Sequence, residues 1–225
     1  PQGTSEGVAE HAIMMMLATG RRLAFCDSEL RVGRWHSNTF RSSARQLFGA
    51  TVGIIGFGRI GKQVAKRLIG FDTKTIYTDL IEIEPEIEME LKTTRVSMET
   101  LLSESDFVTL HVPLTDCTHH LIDEVALAKM KVGATLINCA RGPVVSELGL
   151  VNALRSGHIG GAGLDVFEIE PPPTPNPFAD FPNVVLTPHH APGTRDTMIV
   201  KFKEIFANAD RFFNGERMEN EISLI

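Results

Sequence analysis

Thr51-Val52-Gly53-Ile54-Ile55-Gly56-Phe57-Gly58-Arg59-Ile60-Gly61 is the stretch on which the fold turns. The run from Thr51 to Ile55 is short, apolar and β-branched, and it reads as a buried strand. Gly56, Gly58 and Gly61 follow it with G-x-G-x-x-G spacing, and a helix is expected from about Ile60 to Ile69. Such glycines alone make only a turn. Between a strand and a helix they make a phosphate cradle. The first permits the tight turn, the second lets the backbone approach a pyrophosphate, and the third lets helix and strand pack closely. The helix N-terminus adds free N–H groups and a positive dipole end. A second strand, Thr75 to Thr78, ends at Asp79, about 20 residues beyond the first glycine. A carboxylate there accepts hydrogen bonds from ribose hydroxyls and repels a 2′-phosphate, so the expected cofactor is NAD rather than NADP.

The same alternation continues outward. Further strands are expected over Asp106–Val112, Thr135–Asn138, Gly163–Val166 and Asn183–Thr187, with helices around Asp123–Met130 and Glu147–Ser156. Short apolar strands separated by helices imply an α/β fold with a doubly wound parallel sheet, covered on both faces. Before it, Val8, Ala12, Met15, Met16 and Leu23 recur at helical spacing, giving a buried helix over Glu6–Leu23. Cys26 to Gly49 reads as a connecting loop in which Trp35 is a packing anchor, and Met14, Met15 and Met16 read as core or interface filler. Pro85 suits the first turn of a helix inside the acidic run Glu82–Glu90, a solvated face. Glu170–Pro182 is a proline-rich surface loop, and Thr194–Phe213 returns to helical spacing.

Composition narrows the function classes. The chain has 225 residues and a net charge of −6, which argues against nucleic acid as a partner. Its strongest apolar stretch, Ala12–Leu17, is too short to cross a membrane, and Pro1–Glu6 has no signal-peptide character. Cys26, Cys117 and Cys139 are odd in number and far apart, so neither a disulfide scaffold nor a metal site is expected, and a reducing compartment, the cytoplasm, is.

Chemistry is expected at the ends of three later strands, because ligands of open parallel sheets bind beyond the carboxyl ends. Asn138-Cys139-Ala140-Arg141-Gly142 offers a guanidinium fork for a carboxylate and a carbonyl oxygen. Asp165-Val166-Phe167-Glu168-Ile169-Glu170-Pro171 offers carboxylates, and Thr187-Pro188-His189 an imidazole. His190, His119 and His120 read as structural, and Cys139 as a small packing residue.

Taken in order with Val8-Ala9-Glu10-His11, Gly33-Arg34-Trp35 and His111-Val112-Pro113-Leu114-Thr115, these segments closely resemble the NAD-dependent D-2-hydroxyacid dehydrogenase family over nearly the whole chain. The resemblance implies hydride transfer between NAD(H) and C2 of a D-2-hydroxy or 2-keto acid of the hydroxypyruvate/glyoxylate, 3-phosphoglycerate or D-lactate type. By the same likeness Arg141 would bind the substrate carboxylate and carbonyl, His189 would be the acid/base, and Glu170 would pair with it. Gly56, Gly58, Arg59, Ile60, Gly61 and Asp79 would hold the cofactor, with His111, Val112, Pro113 and Thr118 on the adenosine side. Asp165, Cys139 and Ala140 would hold the nicotinamide carboxamide. A homodimer through the Glu6–Leu23 region is also implied. The alternative is an NAD-sensing, catalytically idle interaction protein like the co-repressors that resemble this family. Residues 1–195 would form the NAD-binding domain with its connecting helix, and 196–225 the return to a substrate domain whose N-terminal part lies outside the chain. Asp72 departs from the family, standing at a helix end where glycine is usual.

Overall fold

The computed structural model describes residues 4–220. Two helices, α1 (Thr4–Gly20) and α2 (Leu23–Arg31), precede the alternating part. It runs β1 (Thr51–Ile55), α3 (Arg59–Leu68), β2 (Lys74–Thr78), α4 (Pro85–Leu91), β3 (Thr93–Arg95), α5 (Met98–Glu104), β4 (Phe107–Leu110) and α6 (Glu124–Lys129). There follow β5 (Ala134–Asn138), α7 (Glu147–Arg155), β6 (Ile159–Leu164), β7 (Val184–Leu186) and α8 (Arg195–Phe213). The seven strands form one parallel sheet in the order β3-β2-β1-β4-β5-β6-β7. The chain order reverses between β1 and β4, and that opens a crevice beyond their carboxyl ends. The expected doubly wound fold is present.

Burial explains why these strands show no polar alternation. Every residue of β4 and of β5 is buried, because each strand feeds two cores. Val52, Ile54, Phe107 and Ile137 pack on one face against α1, α3 and α4, alongside Met15, Met16, Val64 and Leu68. Ile55, Val108, Leu110 and Leu136 pack on the other against Leu101, Leu127 and Leu150 of α5, α6 and α7. Side-chain caps start α5, α6, α7 and α8, where Ser97, Asp123, Ser146 and Thr194 each accept the backbone N–H three residues on. Helix α3 begins instead at Gly58, with no side-chain cap.

Several expectations need correction. The first helix stops at Gly20, Arg22 turns into the left-handed region (φ 55°), and α2 then occupies part of the expected loop. No residue of α2 is fully buried, although Phe25 meets the rings of His36 and Phe40. Strand β3 and helix α5 went unread because one is three residues long and the other seven. Strand β6 begins at Ile159, not Gly163, its glycines hiding the strand signal. Trp35 is 78% exposed and anchors no packing in this chain. Of the methionines, Met15 and Met16 are fully buried while Met14 faces outward. Asp72 adopts the left-handed conformation (φ 52°) that a glycine would take without steric cost. Among the described residues no helix is long and apolar enough to cross a membrane, and the three cysteines are unpaired.

Leu136 sits fully buried at the centre of the sheet. Leu136→Ala is expected to cost about 2–5 kcal/mol in urea unfolding, whereas Val132→Ala at an exposed position should stay within about 0.5 kcal/mol.

Candidate active site

The glycine turn is built as its spacing demands. Gly56 has φ 92°, and a Cβ there would lie 2.6 Å from the His111 carbonyl oxygen. At Gly61 a Cβ would lie 2.3 Å from the Gly56 oxygen, so only glycine lets α3 approach β1 this closely. Around Gly58 there is open space, and the uncapped first turn of α3 leaves its N–H groups free for an anion. Phe57 and Tyr77, both buried, stack with centroids 4.0 Å apart beneath the turn. Asp79 accepts from the Phe57 amide at 2.5 Å through one carboxylate oxygen and from the Ile81 amide at 3.0 Å through the other. The residue read as a ribose hook thus also ties the glycine turn to β2.

A cavity of about 460 Å³ opens over the turn, lined by Arg59, Ile60, His111, Val112, Pro113, Cys139, Ala140 and Arg141. Thr4 and Ser5 of α1 complete its wall; sequence reasoning did not assign them. Burial drives the pKa of His111 down to about 3, so its ring is neutral. One ring nitrogen meets Thr109 Oγ1 at 3.0 Å and the other, Nδ1, is buried without a partner. Thr118 does not line this cavity. Its hydroxyl donates to the Pro113 carbonyl at 2.6 Å and accepts from the Thr115 amide at 2.7 Å, which closes the loop that carries Pro113. Glycine cradle, free helix N-terminus and cavity together fit a dinucleotide.

Strands β5, β6 and β7 deliver the polar groups. After β5, buried Asn138 accepts from the Ala140 amide and donates to the Arg141 carbonyl, both at 3.0 Å, and so locks the turn that presents Arg141. A Cβ on Gly142 would lie 1.8 Å from the Phe167 oxygen, so the Arg141 turn and the Phe167 loop are pressed backbone to backbone. Arg141 is exposed, with Nη1 donating to the Ala140 carbonyl at 2.6 Å. After β6, Glu170 accepts from the Phe167 amide at 3.0 Å, and its other oxygen lies 2.6 Å from His189 Nδ1. Burial works to raise the Glu170 pKa, but the hydrogen bonds from His189 and Phe167 outweigh it and hold the carboxyl below its ordinary value. His120 Nε2, 3.1 Å from Glu168 Oε1, steadies the same loop.

Asp165 differs in placement from its expected use. It is 1% exposed and does not line the cavity. Thr187 Oγ1 donates to Oδ1 at 2.6 Å, the His190 amide to the same oxygen at 3.0 Å, and the Ala191 amide to Oδ2 at 2.9 Å. Burial would raise its pKa, yet these bonds and that of His11 bring it down to about 2. His11, Asp165 and His190 also place three potential metal ligands within 4.8 Å of one another. The carboxylate is already engaged by protein donors, which accounts for the cluster without an ion.

Residues 13–191 match the model of the D-isomer specific 2-hydroxyacid dehydrogenase, NAD binding domain. The chain is 40% identical over 225 residues to a glyoxylate reductase of Korarchaeum cryptofilum, covering 99% of this chain and 68% of that protein. It is 46% identical over 197 residues to a glyoxylate reductase of Thermofilum pendens, covering 86% and 58% respectively. The D-lactate dehydrogenase of Lactobacillus jensenii, solved with NAD+, superposes with a TM-score of 0.89 at 28% identity, over 99% of this chain and 70% of that one. The chain thus spans only part of the length of each of these relatives.

If Asp79 sets cofactor choice, NADH should bind about 10–100-fold more tightly than NADPH, or about 1.4–3 kcal/mol. Asp79→Ala should narrow that gap in fluorescence titrations. Equal affinities in the unmodified protein would remove the assignment.

Proposed function

The chain belongs to the D-isomer specific 2-hydroxyacid dehydrogenases, a family of NAD-dependent oxidoreductases, and we propose that it carries the cofactor and acid/base half of such an enzyme. The reaction is the reversible reduction of a small 2-keto acid to a D-2-hydroxy acid, for which bound NADH supplies the hydride. The observation that carries this reading is the 2.6 Å Glu170–His189 pair, on the segments that follow β6 and β7, beyond the same edge of the sheet as Arg141 after β5. Glyoxylate and hydroxypyruvate, named for relatives, are the substrates to test first.

The roles follow from donor chemistry. With Nδ1 engaged by Glu170, His189 keeps Nε2 for the substrate oxygen, which it protonates on reduction and deprotonates on oxidation. Arg141 offers a planar fork to the substrate carboxylate and to the oxygen on which negative charge develops. The first turn of α3 would hold the pyrophosphate of NAD, Asp79 its ribose, and the Cys139–Ala140 backbone, on the cavity wall, its carboxamide. Cys139 itself is no nucleophile, because burial pushes its thiol far above the ordinary range.

The domain reading of 1–195 and 196–225 is supported by α8, where only Thr197 is buried while Phe202, Phe206, Phe212 and Phe213 are exposed. Such a face suits a helix that packs against a substrate domain. Homodimerisation through the Glu6–Leu23 region is supported by exposed Met14 and Leu17 on α1 and Leu23 at the start of α2. Unpaired cysteines support a cytoplasmic setting.

Removing the charge of Glu170 tests the pair. Reduction needs the His189 ring turned so that Nε2 faces the substrate oxygen, and Glu170 fixes the ring through Nδ1. Glu170→Gln removes the charge while nearly keeping the shape, and it is expected to lower kcat for glyoxylate reduction about 10–100-fold with the NADH Kd within about twofold. An unchanged kcat would show that Glu170 does not hold the acid.

A further inference from the structure

The loop that carries His189 is gripped from a helix outside the nucleotide-binding alternation. His11, on α1, is 8% exposed, and its Nε2 lies 3.0 Å from Thr187 Oγ1 and 3.4 Å from Asp165 Oδ1. Thr187 donates its own proton to Asp165 at 2.6 Å, so its oxygen is left to accept and His11 Nε2–H is the donor. Asp165 in turn holds the His190 and Ala191 amides through its carboxylate, and its backbone carbonyl accepts the His189 amide at 2.7 Å. Thr187 and the His190 and Ala191 amides are thus referred back to one buried carboxylate, and the His189 amide to the backbone carbonyl of the same residue.

His189 needs such a grip. It is a non-glycine residue at φ 51°, in the left-handed region, and its side chain is partly exposed. A residue in that conformation stays there only where its surroundings over-determine it. The His190 ring, edge-on to His11 at 5.0 Å, closes the arrangement from the solvent side.

We propose that His11 is a positioning residue for His189, acting through Thr187 and the carboxylate of Asp165. The proposal rests on the acid/base reading of His189 given above. What His11 supplies is a hydrogen-bond donor, not bulk, and the two can be separated. Glutamine places an N–H near the position of Nε2; leucine fills similar space with no donor.

The test uses the full-length protein, with glyoxylate and NADH for turnover and amide exchange of the loop as a readout independent of activity. His11→Leu is expected to lower kcat by about 10–100-fold while the NADH Kd stays within about twofold. His190 and Ala191 amides should exchange about tenfold faster or more, with β4 and β5 amides unchanged. His11→Gln should recover most of both losses. Unchanged exchange at His190 and Ala191 in the leucine variant overturns the proposal, and so does equal damage from leucine and glutamine. Should the leucine variant fail to fold, Thr187→Val removes the acceptor at nearly constant volume and must speed the same two amides. A wild-type protein inactive on every 2-keto acid would defeat the acid/base reading of His189, while the exchange measurements would still decide whether His11 holds the loop.

Discussion

A buried, ionised carboxylate cannot be left unsatisfied, and Asp165 is the place where this constraint organises the molecule. Removing such a charge from water is costly unless donors surround it. Here the donors are Thr187, the amides of His190 and Ala191, and the His11 ring. Satisfying Asp165 therefore fixes the path of the chain just past β7. That path sets where His189 stands, and His189 in turn fixes Glu170. The site is in this sense a consequence of one charge placed where solvent cannot reach it.

The cofactor end is governed by a different economy. Nothing there depends on a buried charge; backbone N–H groups and close glycine contacts do the positioning, and Asp79 joins the turn to β2. Backbone groups at a helix start cannot swing away as a side chain can, so the cradle exists before any ligand arrives. The neutral His111 on the cavity wall fits the same pattern, since a charged ring at that depth would be unsolvated.

The two ends were unequally legible in the sequence. The glycine turn, the alternation of strands and helices and the position of Asp79 at the end of β2 were readable because local spacing encodes them: a tight turn needs glycine wherever it occurs. Arg141, Glu170 and His189 were read from strand ends together with a family likeness, and the structure places Glu170 and His189 in contact. Helix α2 is nine residues long with none in the core, and β3 and α5 are too short for a period to emerge. Trp35 misled because a large aromatic side chain suggests a core, and here it faces outward. His11 stood in a quoted motif but received no role. A lone histidine on an apolar helix is ordinarily core filling, and only the tertiary meeting of α1 with the end of β7 gives it partners 176 residues away.

That meeting depends on α1 being packed on its inner side, where Val8, Ala12, Met15 and Met16 are buried in one core with residues of the sheet and α3. Its first turn offers Thr4 and Ser5 to the cofactor cavity, and two turns further on His11 reaches the His189 loop. One element thus reaches both the cavity and the His189 loop. In the proposed reaction a hydride goes to the substrate carbon as a proton goes to its oxygen, and misplacement by about 1 Å is enough to lose much of the rate. A packed helix that walls the cavity and grips the His189 loop makes their spacing depend on the core rather than on two surface loops.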